Sequence, residues 1–255
     1  MFPALFLSHG APTLPLVEAP ATSFLRQLGD KIGRPRAIIV ASAHWATPLP
    51  TVSTIERNTT IHDFYGFPRA LYEMRYEPPG DPALAEQAAG LLDAAGLGCG
   101  FDPTRGLDHG AWVPLKMMYP SADIPTLQIS IQPHLGPAHH LRMGQALAPL
   151  REDDVLIIGS GAFTHDLAHL RPSDMNAPPP PDVVAFVTWF DAALREHRIE
   201  DVLAYRQLAP FAERQHPTDE HLLPLYVAMG AGGVTERIHA STMYANLRMD
   251  AYAFA

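Results

Sequence analysis

Three short, continuous apolar runs constrain the fold of this chain more than any other feature of its sequence. They cover residues 3–8 (PALFLS), 36–43 (RAIIVASA) and 155–164 (VLIIGSGAFT). Runs of this length that are rich in Val, Ile and Leu predict strands covered on both faces, as in the parallel sheets of α/β proteins. Each run is followed at once by a histidine, namely His9, His44 or His165.

The rest of the chain alternates between strand and helix patterns. Strands are predicted over residues 4–8, 37–42, 51–55, 72–76, 126–131, 155–159, 238–242 and 250–254. Helices are predicted over residues 19–31, 82–95, 111–118, 137–150, 182–195, 199–206 and 219–229. Four consecutive prolines at 178–181 predict a stiff polyproline connection into the helix at 182. The alternation predicts one domain over residues 1–255, an α/β fold with a three-layer sandwich around a mixed, mostly parallel central sheet.

The composition indicates a protein that acts on a small molecule. The net charge is −9 and there is no block of Lys or Arg, which argues against a nucleic-acid or anionic-membrane partner. Cys99 is the single cysteine, so an intramolecular disulfide and a zinc finger are excluded. No apolar run approaches transmembrane length, and the start lacks the basic flank of a signal peptide. We therefore expect a cytoplasmic protein, whose oligomeric state the sequence leaves open.

The histidines after the apolar runs predict a metal site. In open α/β sheets, side chains just beyond the carboxyl ends of the strands converge on one crevice. His9 in SHGAP and His44 in SAHW are therefore expected to meet at one sheet edge, where neutral imidazole is a common transition-metal ligand. A turn residue is the alternative role for His9 taken alone. His165 follows the Gly-rich exit GSG, which allows close backbone approach to a small site, and phosphate binding is the alternative reading of those glycines.

His221 is a further candidate ligand, and it is predicted to lie on a helix. Thr218 suits the N-cap, and an apolar stripe follows at Leu222, Leu225, Tyr226 and Met229. The helix dipole in the first turn would keep the His221 ring neutral for coordination. His216 lies about 140° away around a helix, so it is expected in a loop beside the site. Glu220 is a competing carboxylate ligand.

Two further segments mark a candidate substrate site. His109, in GLDHGAWVPL, is either an active-site residue or only the start of a helix. The loop HDFYGFP combines His62 with Phe64, Tyr65 and Phe67 between Gly and Pro residues. That composition suits the wall of an aromatic-substrate pocket, and packing at the surface is the alternative. Trp45, beside His44, is expected to wall off solvent.

Six motifs, in their order and spacing, resemble the 4,5-DOPA extradiol dioxygenase family of class III, LigB-like ring-cleavage dioxygenases. They are SHGAP at His9, SAHW at His44, HDFYGFP at His62, GLDHGAWVPL at His109, GSGAFTH at His165 and HPTDEHLLPLYVAMGA at His221. The resemblance spans nearly the whole chain. It implies a non-haem Fe(II) enzyme that opens a catechol ring, such as that of a DOPA-like substrate, with O2. Zn(II) is an alternative occupant of the metal site.

The resemblance also implies roles for individual residues. His9, His44 and His221 match the metal ligands, and His165 matches either a further ligand or the acid/base. His109 matches a catalytic residue, and His62 falls in the matching substrate loop. The chain departs from the family pattern at Asp166, where Asn is more usual, and at Phe163, which puts the substrate's identity in doubt.

Elementary chemistry supports this reading of the residues. With three neutral histidine ligands the metal keeps more positive charge than with a carboxylate, which favours binding of a catecholate dianion. A histidine that titrates near neutrality suits the acid/base role, for which we select His165. Aromatic walls from Trp45, Phe64, Tyr65 and Phe67 would hold the ring. Two other classes stay open: a zinc hydrolase with Glu220 as base, and a metal-binding protein without turnover.

Overall fold

An eight-stranded sheet is the centre of the molecule in a computed structural model that describes residues 1–255. The strands are β1 Ala4–Ser8, β2 Ala37–Ala46, β3 Thr51–Ser53, β4 Gly100–Asp102, β5 Thr126–Ile131, β6 Val155–Gly161, β7 Thr235–His239, β8 Thr242–Met243, β9 Leu247–Arg248 and β10 Ala251–Phe254. The helices are α1 Pro20–Ile32, α2 Arg69–Glu73, α3 Pro82–Ala94, α4 His109–Met118, α5 Gly136–Leu147, α6 Pro181–Arg195, α7 Ile199–Leu203, α8 Tyr205–Leu208, α9 Ala212–Gln215 and α10 Leu223–Ala231. Short 3-10 segments lie at Leu14–Leu16, Pro133–Leu135, Ala148–Asp153 and Leu167–His169.

The three apolar runs form adjacent parallel strands in the middle of the sheet. The strand order is β4-β3-β5-β2-β6-β1-β10-β7, with β8 and β9 forming a separate pair. Strand β6 pairs in parallel with both β1 and β2. Because Ser160 lies opposite Ser42 and Gly161 lies opposite Ser8, the three strands end at the same edge. The register therefore brings the segments that follow them together.

Helices cover both faces of this sheet. Successive residues of a strand point to opposite faces, so Ile39 and Ile157 pack in one apolar core while Ile38 and Ile158 pack in the other. The first core is closed by α3, α5, α6 and α10, and the second by α1 and α4. The predicted fold class, a three-layer α/β sandwich around a mixed sheet, is confirmed.

Several predicted elements are wrong in type or in bounds. Residues 72–76 do not form a strand, because Pro68 starts the short helix α2 and the chain then runs irregularly to Tyr76. The predicted helix 199–206 is divided into α7 and α8. The strand predicted at 238–242 lies earlier, as β7. The proline run does enter α6 as expected, with Pro180 at φ −69° and ψ 162°.

Two of these boundary differences affect the site. Strand β2 continues through a register shift to Ala46, so His44 lies within the strand and not beyond it. Helix α10 begins only at Leu223, with Pro224 in its first turn, and residues 219–222 form a turn ahead of it. His221 is therefore a turn residue, and the expected helix-dipole argument does not apply to it. None of the helices has the length and apolar character needed to cross a membrane.

Candidate active site

Three histidines from distant parts of the chain meet at the carboxyl edge of the sheet. His9 follows β1, His44 lies near the end of β2, and His221 lies in the turn before α10. The Nε2 atoms of His44 and His9 are 3.1 Å apart, and those of His44 and His221 are 3.3 Å apart. Nitrogens bound to one ion at about 2.0–2.1 Å lie about 3–3.5 Å from each other, so the spacing fits a shared metal.

The other ring nitrogen of each histidine faces an oxygen. His9 Nδ1 donates to Ser160 Oγ at 3.1 Å, and His221 Nδ1 donates to Glu220 Oε1 at 3.0 Å. His44 Nδ1 lies 3.5 Å from Asp63 Oδ2. Such partners fix the tautomer and the ring orientation of metal-binding histidines. In His9 and His221 these hydrogen bonds favour the tautomer in which Nε2 carries no proton and is available as a ligand.

Burial keeps these three rings neutral. The pKa of His9 is well below its ordinary value because of burial and of the neighbouring His44. Burial likewise lowers the pKa of His44 to about 4, and that of His221 to about 3 against the opposing hydrogen bond to Glu220. Neutral imidazole is the form that binds a metal. The donor set therefore fits a divalent transition metal.

Two glycines of β6 explain how His221 reaches this position. A Cβ on Gly161 would lie 2.0 Å from the His221 carbonyl oxygen, and one on Gly159 would lie 1.9 Å from that of Pro224. The turn before α10 thus packs directly on the strand backbone, where the Ala162 N–H donates to the His221 carbonyl at 2.8 Å. The GSG segment serves close packing, and the phosphate-binding alternative has no support in this geometry.

His109 stands beside the three histidines and is held by Asp63. Its backbone N–H and its Nδ1 both donate to Asp63 Oδ1, each at 2.9 Å, and its ring centroid lies 4.0 Å from that of His44. Burial alone would raise the pKa of Asp63, but the hydrogen bonds that His109 donates outweigh it and lower that pKa to about 2. One carboxylate therefore orients two histidines of the site.

A buried carboxylate, Asp108, joins the helix that carries His109 to the strand that carries His44. It caps α4 through the Ala111 N–H and accepts the Ser42 hydroxyl at 2.7 Å. Arg105 donates to Asp108 at 2.7 Å and to the His44 carbonyl at 3.2 Å. Because this charge is paired and fully hydrogen-bonded, it holds the helix that carries His109 rigidly against the strand that carries His44.

His165 lies flat against His221. The two ring centroids are 3.4 Å apart with only 13° between the planes. The pKa of His165 is lowered, mainly by burial, although nearby Glu220 opposes the shift. His165 thus adjoins the histidine cluster and faces the same cavity.

A cavity of about 340 Å³ opens beside the cluster. The five histidines that line it are His9, His44, His109, His165 and His221. Its remaining walls are apolar or glycine and include Phe64, Phe67, Leu167, Leu170 and Leu247. This volume is within the range of small-molecule sites.

The aromatic wall is smaller than the sequence predicted. Tyr65 lies at an exposed loop tip, 91% accessible, and does not line the cavity. Trp45 follows His44 in the strand, so it points to the opposite face, where Arg105 lies 5.1 Å from its ring. His62 lies behind Phe64, bonded to the Met74 carbonyl at 3.1 Å. Of the residues expected at the substrate, Phe64 and Phe67 line the cavity, whereas His62, Tyr65 and Trp45 do not.

Sequence reasoning missed Asp63 and Ser160, and it considered Glu220 only as a competing ligand or as the base of a hydrolase. Asp63 lies inside HDFYGFP and Ser160 inside GSG, but nothing in either motif shows that these side chains support histidines elsewhere. Glu220 lies on the Nδ1 side of His221 and also accepts the Thr218 hydroxyl at 2.9 Å. His216 is fully buried and bonds to the Phe163 carbonyl at 3.1 Å, outside the cavity.

Comparison with known proteins identifies the family of this chain. The family model of the catalytic LigB subunit of aromatic ring-opening dioxygenase matches residues 3–255. The 4,5-DOPA dioxygenase extradiol of Beta vulgaris is 46% identical over 244 residues, covering 92% of this chain and 90% of the relative. The protein of the same name from Escherichia coli K12 is 39% identical over 236 residues, covering 90% and 84%.

A solved structure has the same fold. The crystal structure of the uncharacterized protein JW3007 from Escherichia coli K12 matches with a TM-score of 0.83 and 30% identity over the whole of both chains. Members of the family are metal-dependent, and the histidine cluster described above can hold a metal. This chain therefore belongs to the family of the catalytic LigB subunit of aromatic ring-opening dioxygenases, and it is an extradiol ring-cleavage dioxygenase.

Proposed function

We propose that the protein is an Fe(II)-dependent dioxygenase that opens a catechol-type ring with O2, with His9, His44 and His221 as the metal ligands. The observation that carries the proposal is the convergence of three Nε2 atoms, with neighbours 3.1 and 3.3 Å apart, beside a cavity of about 340 Å³. Fe(II) is the metal of the active enzyme, and Zn(II) can occupy the same ligands. When bound, the metal orients catechol and O2 and stabilises the deprotonated hydroxyl as a Lewis acid.

The residues around the metal site would handle the protons. A catechol must lose a hydroxyl proton on binding, and ring opening needs a proton returned. His165 lines the cavity and its ring nitrogens have no hydrogen-bond partner in the protein, so it is our choice for the acid/base, with a role as fourth ligand as the other possibility. His109 donates Nδ1–H to Asp63, which leaves its Nε2 as a proton acceptor in the cavity.

The apolar side of the cavity would hold the ring. Phe64 is buried and packs edge-on to His109, with ring centroids 5.7 Å apart. An aromatic substrate placed between Phe64 and the histidines would be shielded from water on one side. These walls orient the ring and restrict access of water to the reacting atoms.

The other function classes fit this geometry less well. A hydrolase would need a carboxylate base facing the cavity, but Glu220 is bonded to His221 and Thr218 and does not line it. A purely structural metal site would be closed by four ligands, whereas this cluster adjoins an open cavity.

The test is anaerobic loading of the metal-free protein with Fe(II), followed by measurement of O2 uptake with a panel of catechols. We expect one O2 consumed per ring opened, and loss of metal and activity in His9→Ala, His44→Ala and His221→Ala. The exposed His134→Ala is the matched control and should keep both. Absence of O2 uptake with every catechol, in protein that has bound Fe(II), would overturn the proposal.

A further inference from the structure

The leucine side of the cavity reaches its opening. Leu167, Leu170 and Leu247 line the cavity, and Leu167 is 52% exposed. The five histidines supply all the polar side chains of the lining, because its other nine residues are glycine or carry apolar side chains. A catechol whose hydroxyls lie at the histidines directs a 4-substituent away from them. An anionic group on that substituent can therefore meet a cationic side chain only at the opening.

Arg171 is anchored between the two segments that supply these leucines. It follows Leu170 directly, and its backbone N–H donates to the Tyr244 carbonyl at 3.0 Å, three residues before Leu247. The Arg171 carbonyl in turn accepts the Asp174 N–H at 3.0 Å. These hydrogen bonds hold the backbone of Arg171 at the edge of the leucine wall, while its side chain is exposed.

The Arg171 guanidinium has no partner within the protein, since it makes neither an ion pair nor a side-chain hydrogen bond. The other arginines near this wall are paired. Arg248 makes two bonds to Asp250, at 2.8 and 3.0 Å, and Arg214 lies 3.1 Å from Asp182. Both aspartates are buried, so turning either arginine toward a ligand would leave a buried charge unpaired. Arg171 is thus the cation beside the opening that is free to bind an anion.

We propose that Arg171 determines substrate specificity by pairing with a carboxylate on the ring substituent of the catechol. The inference rests on the proposed function, since it assigns a role to one residue of the same site. The planar guanidinium presents its N–H donors in a fork that matches the two oxygens of a carboxylate. Its aliphatic stem can lie along the leucine wall while the charged head stays at the opening. Because this pair stays in contact with water, its contribution to affinity is about fivefold.

Two pairs of catechols isolate the effect of the carboxylate. The compound 3-(3,4-dihydroxyphenyl)propanoate and its primary amide have nearly the same shape and differ in charge. DOPA and dopamine both carry an ammonium group and differ by the carboxylate. The quantity measured is the ratio of affinities within each pair, called here the carboxylate ratio.

Arg171→Gln should lower the carboxylate ratio about fivefold in both pairs, with little change in the affinity for the amide. Arg171→Lys keeps the charge without the planar fork and should retain part of the ratio. The matched control is Lys31→Gln, which removes an exposed charge in the last turn of α1, near the start of β2 and at the opposite edge of the sheet. It should leave the ratio unchanged. High salt should lower the wild-type ratio, because it screens a pair at the surface.

Binding is measured by calorimetry on the zinc-loaded protein, which needs no turnover, and kcat/KM is measured by O2 uptake on the Fe(II) enzyme. Unchanged affinity for the amide shows that a variant has kept its fold. A carboxylate ratio that is equal in wild type and Arg171→Gln, or that falls equally in Lys31→Gln, overturns the inference. A wild-type ratio that does not respond to salt overturns it independently of any variant.

The same measurements separate this inference from the proposed function. An Fe(II) enzyme that is active, but whose carboxylate ratio does not depend on Arg171, overturns the inference and leaves the proposed function standing. A protein whose ratio depends on Arg171, but which consumes no O2 with any catechol, overturns the proposed function and leaves the role of Arg171 in binding standing.

Discussion

Asp63 accepts two hydrogen bonds from His109, one from the backbone N–H and one from the ring Nδ1, both at 2.9 Å. The other oxygen of the same carboxylate lies 3.5 Å from His44 Nδ1. Asp63 thus connects the loop HDFYGFP to one proposed metal ligand and to one proposed catalytic histidine. It is a positioning residue, since it does not line the cavity.

Asp63→Asn should lower kcat/KM by about 10- to 100-fold while most of the bound metal is retained. The amide removes the charge that orients both histidines, and loss of such partners typically has effects of this size. Metal content by elemental analysis and O2-uptake kinetics separate the two quantities. Asp63→Glu, which restores the charge, should recover part of kcat. If Asp63 had only a structural role, both variants would lose stability and their kcat values would not differ in this way.

Glu220→Ala should weaken metal binding by about 10- to 100-fold. The variant removes the acceptor that fixes the His221 ring with Nε2 toward the site, at 3.0 Å from Nδ1. The affinity is measured by competition with a chelator of known strength. Glu213→Ala, which removes an exposed glutamate from α9, is the control and should bind metal normally. Equal affinities in the two variants would show that Glu220 does not position His221.

His165→Ala should lose ring cleavage by about 10²- to 10⁴-fold and keep its metal, if His165 is the acid/base. The reason is that its ring faces the cavity while the three converging Nε2 atoms belong to other residues. Single-turnover O2 uptake and metal content are measured on the same sample, with His134→Ala as control. A metal-free His165→Ala protein would instead make His165 a fourth ligand.

Phe64→Leu should change the relative kcat/KM among substituted catechols by several-fold, whereas Tyr65→Ala should leave the ratios unchanged. The two neighbours differ in exposure, since Phe64 is 9% exposed in the cavity wall and Tyr65 is 91% exposed. Leu is chosen because the smaller Ala would add a larger cavity penalty to stability. Ratios that shift with Tyr65 and not with Phe64 would mean that the loop closes differently over bound substrate.

The protein should lose stability as the pH falls from about 6.5 to 4, and His140 should account for part of the loss. Burial lowers the pKa of His140 to about 4 from its ordinary 6.5, and its Nε2 accepts the Gln132 N–H at 3.0 Å. In this window the unfolded chain binds a proton that the folded protein excludes, so the free energy of unfolding decreases on acidification.

The full effect of His140 protonation on the free energy of unfolding is about 3 kcal/mol. Urea unfolding of metal-free wild type and His140→Gln at pH 7 and pH 4.5 measures it. The difference in stability between the two pH values should be smaller in the variant, and the exposed His134→Gln should behave as wild type. An unchanged pH dependence in His140→Gln would assign the loss to other histidines.

The local sequence determined the central strands and the histidines at their ends. The runs at 36–43 and 155–164 are apolar on both faces, which only a sheet covered by two layers can satisfy. Parallel strands that end at one edge then place His9 and His44 together without any further information. The histidine of the turn before α10 was found by its motif, although its predicted position on a helix was wrong.

Tertiary structure alone decided which groups support the histidines and what the cavity wall contains. Asp63 and His109 are 46 residues apart, and His9 and Ser160 are 151 residues apart. Neither pairing leaves a periodic or spacing signal, because hydrogen bonds between distant segments depend on how layers pack and not on local propensity. The same reason explains why Tyr65 and Phe64, which are neighbours in one aromatic loop, differ in exposure. Only the packing of that loop on α4 turned one ring into the cavity and left the other in solvent.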